Sequence, residues 1–316
     1  MESVDFGFVA LQMVTVSLPI LLGWAARKLD FMNDAFDVQL SGLVLNFGLP
    51  CLILSSLTSV KELPATSDML WSMAGETVMM FIALALGYLI CALMHAPVSA
   101  RPAYRFIVTF GNCGFIGFPV VTAVLGNGAL LTAAICLIPM NFFIYTVGIM
   151  MFAGTGGGWR HVAQSAWNCI KSPTLIASIV VVVCVATRFT SFGVVGKSIS
   201  IVGQLTTPAA LLLTGSSIAK YRPVEMLVNW RAYVAAMGRL LIAPIAGLAV
   251  LRLMPLSPVL MEVVLLVSSM PVATNGTLYS LQYGADTEPM MQGTFISILA
   301  SIVTIPIVVT LARMWT

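Results

Sequence analysis

Two strings of glycine, proline, amide and hydroxyl residues interrupt otherwise apolar runs, and their side chains and backbone could hold an anion without a fixed cation. The first is Gly111-Asn112-Cys113-Gly114-Phe115-Ile116-Gly117-Phe118-Pro119, inside the run 104–125. The second is Met270-Pro271-Val272-Ala273-Thr274-Asn275-Gly276, inside the run 260–283. Asn112, Thr274 and Asn275 supply uncharged donors and acceptors. Gly114, Gly117 and Gly276 permit unusual backbone angles and close approach, while Pro119 and Pro271 cannot donate to a helix ladder. Unwound backbone at membrane depth leaves N–H and C=O groups that hydrocarbon penalises by several kcal/mol each unless protein or a water-filled cavity receives them. A helix restarting after such a break carries about half a positive charge and free N–H donors at its first turn, which together attract anions. A proline kink in each of two ordinary spans is the plainer alternative. Interruptions at corresponding places in two halves point instead to a transporter's binding site.

Ionisable groups inside apolar spans are functional candidates by default. Arg239 lies eight residues past Arg231, about 12 Å along a helix at 1.5 Å per residue. Glu76 lies six residues beyond Leu70. Either the two form a structural ion pair, or Arg239 attracts an anionic cargo while Glu76 snorkels outward. Asn46, Gln204 and Asn141 sit close to Pro50, Pro208 and Pro139; they either line a pathway or hydrogen-bond neighbouring helices.

The elements that must position these residues follow from composition. A mean hydropathy of +1.01, with 59% apolar and 9% charged residues, excludes a soluble globular domain and defines an integral membrane protein in the lipid bilayer. Ten stretches, at about 6–26, 38–59, 70–94, 104–125, 128–152, 173–189, 196–219, 230–252, 259–283 and 290–312, are long enough to cross a roughly 30 Å hydrocarbon core. They lack the alternation of a transmembrane barrel. The expected fold is all-α, with ten transmembrane helices. The first stretch has no basic flank or cleavage site and is expected to remain in the mature protein.

A shift of 158 residues superposes Asn46 on Gln204, Pro50 on Pro208 and Gly126 on Gly284. Five spans per half place the second half in the opposite orientation, so the reading is two inverted five-helix repeats, residues 1–152 and 173–316, with broken helices 4 and 9 crossed. Residues 153–172 read as a cytoplasmic interfacial linker, with Trp159, Trp167 and Ile170 on one helical face and Arg160 and Lys171 elsewhere. Nine of the fifteen basic residues fall on the side that includes Arg27, Arg101, Lys171 and Arg231, against five on the other. The positive-inside rule makes the richer side cytoplasmic and puts both termini outside, in a plasma (bacterial inner) membrane.

Enzyme chemistry finds little support. His95 and His161 both fall in loops, so no buried Ser–His pair forms, and the aspartates lie at termini or in loops. Five of the six cysteines lie inside apolar spans without a C-x-x-C pair, as small hydrophobes do; no metal site or cofactor is implied. The scattered basic residues give no nucleic-acid patch. A channel stays open beside a carrier, since half-helices also line pores.

The chain resembles the auxin efflux carrier family, including its bacterial malonate-type branch. The resemblance rests on Leu18-Pro19-Ile20-Leu21-Leu22-Gly23, on Asn46 with Leu49-Pro50, on N-x-G-F-x-G-x-P at Asn112 to Pro119, and on P-x-A-x-N at Pro271 to Asn275 followed by Tyr283-Gly284-Ala285-Asp286. It implies a secondary transporter of small organic anions, mono- or dicarboxylates such as malonate, working by alternating access with its site at the crossing of helices 4 and 9. The substrate-binding set is then Asn112, Gly114, Gly117, Pro119, Pro271, Thr274, Asn275 and Gly276, with Asn46, Asn141 and Arg239. The coupling ion, proton or sodium, and a homodimer are left open. The plant carriers have a long loop between the halves, and this chain has about twenty residues there, which favours the bacterial branch.

Overall fold

The computed structural model describes residues 6–59, 63–153, 167, 170–189 and 192–315. Among these, thirteen helices account for most of the residues. They are α1 (Phe6–Lys28), α2 (Asp34–Thr58), α3 (Thr66–Leu93), α4 (Arg101–Thr109), α5 (Cys113–Leu125), α6 (Asn127–Ala153) and α7 (Pro173–Ala186), then α8 (Gly193–Ala219), α9 (Pro223–Met226), α10 (Trp230–Leu251), α11 (Pro258–Ser268), α12 (Asn275–Gln282) and α13 (Glu288–Trp315). Local sequence sets their limits. Asn33 caps α2 by accepting the Phe36 N–H, and Ser172 and Ser257 cap α7 and α11 just ahead of Pro173 and Pro258, the arrangement in which proline costs no helical hydrogen bond. Arg27 and Lys28 close α1, complementing its negative end.

The expectation of ten transmembrane helices in two inverted five-helix repeats is corrected here. Among the described residues seven helices, α1, α2, α3, α6, α8, α10 and α13, are long and apolar enough to cross a membrane. The run 104–125 is divided between α4, with 9 residues, and α5, while 259–283 is divided between α11, with 11, and α12, with 8. α7 has 14 residues, about 21 Å. Counting apolar residues treats each interrupted run as one rod, whereas glycine and proline stop the ladder part-way. The interfacial-linker reading falls on residues 154–166 and 168–169, which lie outside the described residues.

Helix α13 lies at the centre and α1 at the edge: 61% of the apolar window of α13 is buried against 22% of that of α1. The outer face of α1 carries Leu11, Leu18, Leu21 and Leu22, all exposed. Its inner face packs on the second half of α8 at backbone contact. A Cβ on Gly215 would lie 1.9 Å from the Ile20 carbonyl, and one on Gly23 2.1 Å from that of Leu212. Small residues at such crossings allow helices to approach closely where lipid offers no hydrophobic drive. Gly203 of α8 likewise meets the Leu52 backbone of α2. The short helices α4, α5 and α11 fill the core with Phe106, Phe118, Val263 and Val264, and Phe110 just past α4 joins them, all essentially inaccessible.

Candidate functional site

The two interruptions lie against each other. Gly111 and Val272 form an antiparallel bridge; the Asn112 N–H donates to the Pro271 carbonyl at 2.6 Å, and the Ala273 N–H to that of Phe110 at 3.0 Å. The Val272 N–H donates to Ser297 Oγ at 3.0 Å. Backbone groups released by the breaks are thus satisfied by each other and by α13, as a low-dielectric interior demands.

Beside this bridge lies a cavity of about 240 Å³. Asn112, Gly114, Thr274, Asn275, Asn46 and Asn141 line it, six of the eleven residues singled out from the sequence. Gly117, Pro119, Pro271, Gly276 and Arg239 do not. Gly117 is packed between Cys113 and Met270, Gly276 between Met290 and Phe106, and both prolines are buried. These four shape the interruption rather than the cavity surface.

Three helices begin at the cavity wall. Asn112 precedes α5 and accepts the Phe115 N–H through Oδ1 at 3.1 Å. Thr274 precedes α12, and Ser172 precedes α7, accepting the Leu175 N–H at 3.3 Å. All three residues line the cavity, together with Tyr145 and Thr174, and no charged side chain among the described residues does. Ser172, Thr174 and Tyr145 were missed in the sequence, although Ser172-Pro173 ahead of an apolar run is a recognisable helix start. Single π-helical turns at Val44–Gly48, Cys113–Gly117 and Ile144–Gly148 carry Asn46, Gly114 and Tyr145; such turns widen a helix locally and recur at functional positions.

Arg239 sits in a fourth π turn, Gly238–Ile242, fully buried. Its Nη1 donates to the Thr109 carbonyl at 2.8 Å and its Nε to that of Met270 at 3.2 Å. Those carbonyls close α4 and follow α11, so one guanidinium caps the negative ends of both helices. Gly111 makes room for it: a Cβ there would lie 2.2 Å from Nη2. Glu76 of α3, also fully buried, accepts from Ser268 Oγ at 3.1 Å. No direct ion pair joins it to Arg239 among the described contacts.

Many membrane-crossing helices with a polar cavity at paired interruptions define a membrane transporter. The family of membrane transport proteins Mem_trans matches residues 8–309, and the chain belongs to that family; it is a transporter, not an enzyme. It is 25% identical over 294 residues, 90% of each chain, to a Rhizobium meliloti protein named "Putative malonate transporter". It is 20% identical to an uncharacterized transporter of Methanothermobacter thermautotrophicus, over 93% of this chain and 95% of the relative. An uncharacterized transporter of Methanocaldococcus jannaschii is 24% identical over 200 residues, 62% of this chain and 63% of the relative.

Proposed function

We propose that the protein is a carrier of small organic anions, mono- or dicarboxylates of which malonate is the first candidate, with its binding site in the cavity beside the paired interruptions. The observation that carries this reading is the convergence of three helix N-termini on a cavity whose lining, among the described residues, holds amides, hydroxyls and backbone but no charge. Partial positive charge and N–H donors at helix starts favour carboxylates, while a weak, neutral site can release its cargo. The likeness to the protein named for malonate supports the choice of a dicarboxylate.

Transport proceeds by alternating access. Two backbone hydrogen bonds tie the interruptions together, whereas α1 and α8 are locked backbone to backbone; the former is the moving part and the latter the frame. The face holding Arg27, Lys220, Arg222 and Arg231 is cytoplasmic by its basic side chains. Phe6 begins α1 at the end opposite Arg27, and Arg313 lies at the far end of α13 from Gln292, which bonds Glu225 and Asn229 of that basic face. Both termini are therefore extracytoplasmic, in a plasma membrane.

The test is counterflow of radiolabelled malonate in liposomes containing the purified protein, alongside recordings in planar bilayers. Saturable counterflow is expected. Unitary conductance without counterflow would make the protein a channel, and indifference to every carboxylate tried would refute the cargo class.

A further inference from the structure

We propose that Glu76 is a proton-binding site that couples anion movement to proton movement. The proposal rests on the anion-carrier reading and adds its coupling ion. Two charged side chains in the described structure have no solvent exposure at all, Glu76 and Arg239, and each has an unsatisfied atom, Oε1 of Glu76 and Nη2 of Arg239. The buried Asp37 is a contrast. Its carboxylate receives Arg27, Lys220 and the Ser216 hydroxyl, a fully satisfied structural group. Glu76 has a single hydroxyl on one oxygen, which is a costly state for a permanent carboxylate in a low-dielectric interior and an easy one for a carboxyl that exchanges a proton. Ser268 suits both forms: its hydroxyl donates to the carboxylate and can accept from the protonated acid.

Position links this group to the cargo site. Ser268 ends α11, two residues before Met270, whose carbonyl Arg239 holds. Cys113 of the cavity wall donates Sγ–H to the Val267 carbonyl next to Ser268 at 3.2 Å. On the helices packed on α3, Ser268 of α11 bonds Glu76, and Arg239 of α10, Cys136 of α6 and Cys113 of α5 lie within its electrostatic reach. Other cations lie farther along α3 or just past its end: Arg105 covers the Tyr88 ring and Arg231 bonds the carbonyl of Met94, the residue after α3. Protonation converts the Glu76 carboxylate to the acid and leaves uncompensated the charge of Arg239, whose Nη2 lies behind Gly111 of the cavity wall, so the anion binds more tightly. Linkage makes this reciprocal: the bound anion raises the proton affinity of Glu76 by the same factor. Anion and proton then move in the same direction, and loss of the proton on the far side weakens the hold on the cargo.

The experiment uses the full-length carrier in liposomes, radiolabelled malonate, a pH gradient with the membrane potential clamped, and pH values at which malonate stays fully ionised. Wild type is expected to accumulate malonate when the interior is alkaline, with an affinity change on the order of 5- to 150-fold across the titration of Glu76, the usual range for coupled sites. Glu76→Gln, which mimics the protonated form, is expected to keep counterflow at equal pH while losing gradient-driven accumulation and the pH dependence of affinity. Infrared difference spectra of the same samples should show a carboxyl band that titrates in wild type, shifts with malonate and vanishes in Glu76→Gln. Counterflow in wild type without gradient-driven accumulation, or accumulation that survives Glu76→Gln, overturns the coupling role and leaves the carrier intact. Absence of counterflow in wild type removes the carrier reading and this one with it. Should Glu76→Gln not fold, Ser268→Ala must move the pH midpoint of uptake; an unmoved midpoint overturns the proposal.

Discussion

The backbone N–H of Asn112 donates to the carbonyl of Pro271 at 2.6 Å, so two segments far apart in the chain complete each other's hydrogen bonding where both helices are broken. That contact places Asn112 and Asn275 on one cavity while giving them different local duties. Asn112 also caps α5 through the Phe115 N–H; Asn275 opens α12 without a side-chain cap bond there.

Substituting each asparagine separates these duties. Asn275→Ala is expected to weaken malonate binding by about 1.5–3 kcal/mol, the scale of a hydrogen bond to a charged group, with an unchanged melting temperature. Asn112→Ala should lose comparable affinity and also about 0.5–2 kcal/mol of stability as a lost cap. Calorimetric titration together with thermal melts distinguishes the two, and equal melting temperatures would contradict the capping role.

How far the sequence discloses this arrangement depends on the kind of signal. The interruptions at 111–119 and 270–276 are legible because a bilayer tolerates glycine, proline and asparagine together inside an apolar run only where protein or water receives the freed backbone. Asn46 and Asn141 stand out for a related reason, since an amide at membrane depth needs a polar partner, but the residue string does not decide between a cavity and a neighbouring helix: Gln204, marked in the same way, lies off this cavity. The number of spanning helices is not legible, because run length carries no information on where a ladder stops; α4 and α11 end early, at Thr109 and Ser268. Arg239 is visible as a buried cation, yet its partners are the Thr109 and Met270 carbonyls, and backbone acceptors leave no mark in the residue string. Tyr145 enters the cavity through a π turn, which no apolar periodicity reveals.

Close helix contact at α1 and α8 gives a stability prediction. Gly215→Ala puts a methyl group 1.9 Å from the Ile20 carbonyl and should cost about 1–3 kcal/mol as overpacking against backbone. Gly42→Ala, in α2 with nothing within 4 Å of the new Cβ, should be neutral or stabilising by about 0.5–1 kcal/mol through helix propensity. Thermal melts in detergent check the ordering, and equal effects would mean that the α1–α8 contact is looser than described.

The Asp37 cluster and the exposed Arg222–Glu225 pair offer a matched comparison of ion pairs. Asp37→Asn leaves Arg27, Lys220 and the Ser216 hydroxyl without their shared acceptor and should destabilise by about 1–3 kcal/mol. Arg222 and Glu225 have side chains 84% and 58% exposed, so Arg222→Ala should change stability by no more than about 0.5 kcal/mol. Denaturation midpoints of the two variants provide the check.

Orientation is testable without any ligand. A cysteine at Arg222 should be blocked only by a membrane-permeant reagent in intact cells, and one at Met314 by an impermeant reagent added outside, in a background with the native cysteines replaced. The reverse pattern would invert the topology drawn from the basic face.

The central claim is that a carboxylate occupies the cavity at the paired interruptions. Gly114 lines it, and a Cβ there would meet Leu49 Cδ1 at an ordinary 3.5 Å and nothing closer, so the first atom of a new side chain is accommodated and Gly114→Val takes space from an anion in the cavity. The decisive measurement is the malonate-induced shift in melting temperature of wild type and Gly114→Val, with neutral malonamide as control. At a malonate concentration about 100-fold above Kd, wild type should gain about 2.7 kcal/mol of stability by mass action. Malonamide should give none, and Gly114→Val should melt like wild type yet fail to respond to malonate. An undiminished malonate shift in Gly114→Val would place the anion elsewhere and contradict the account.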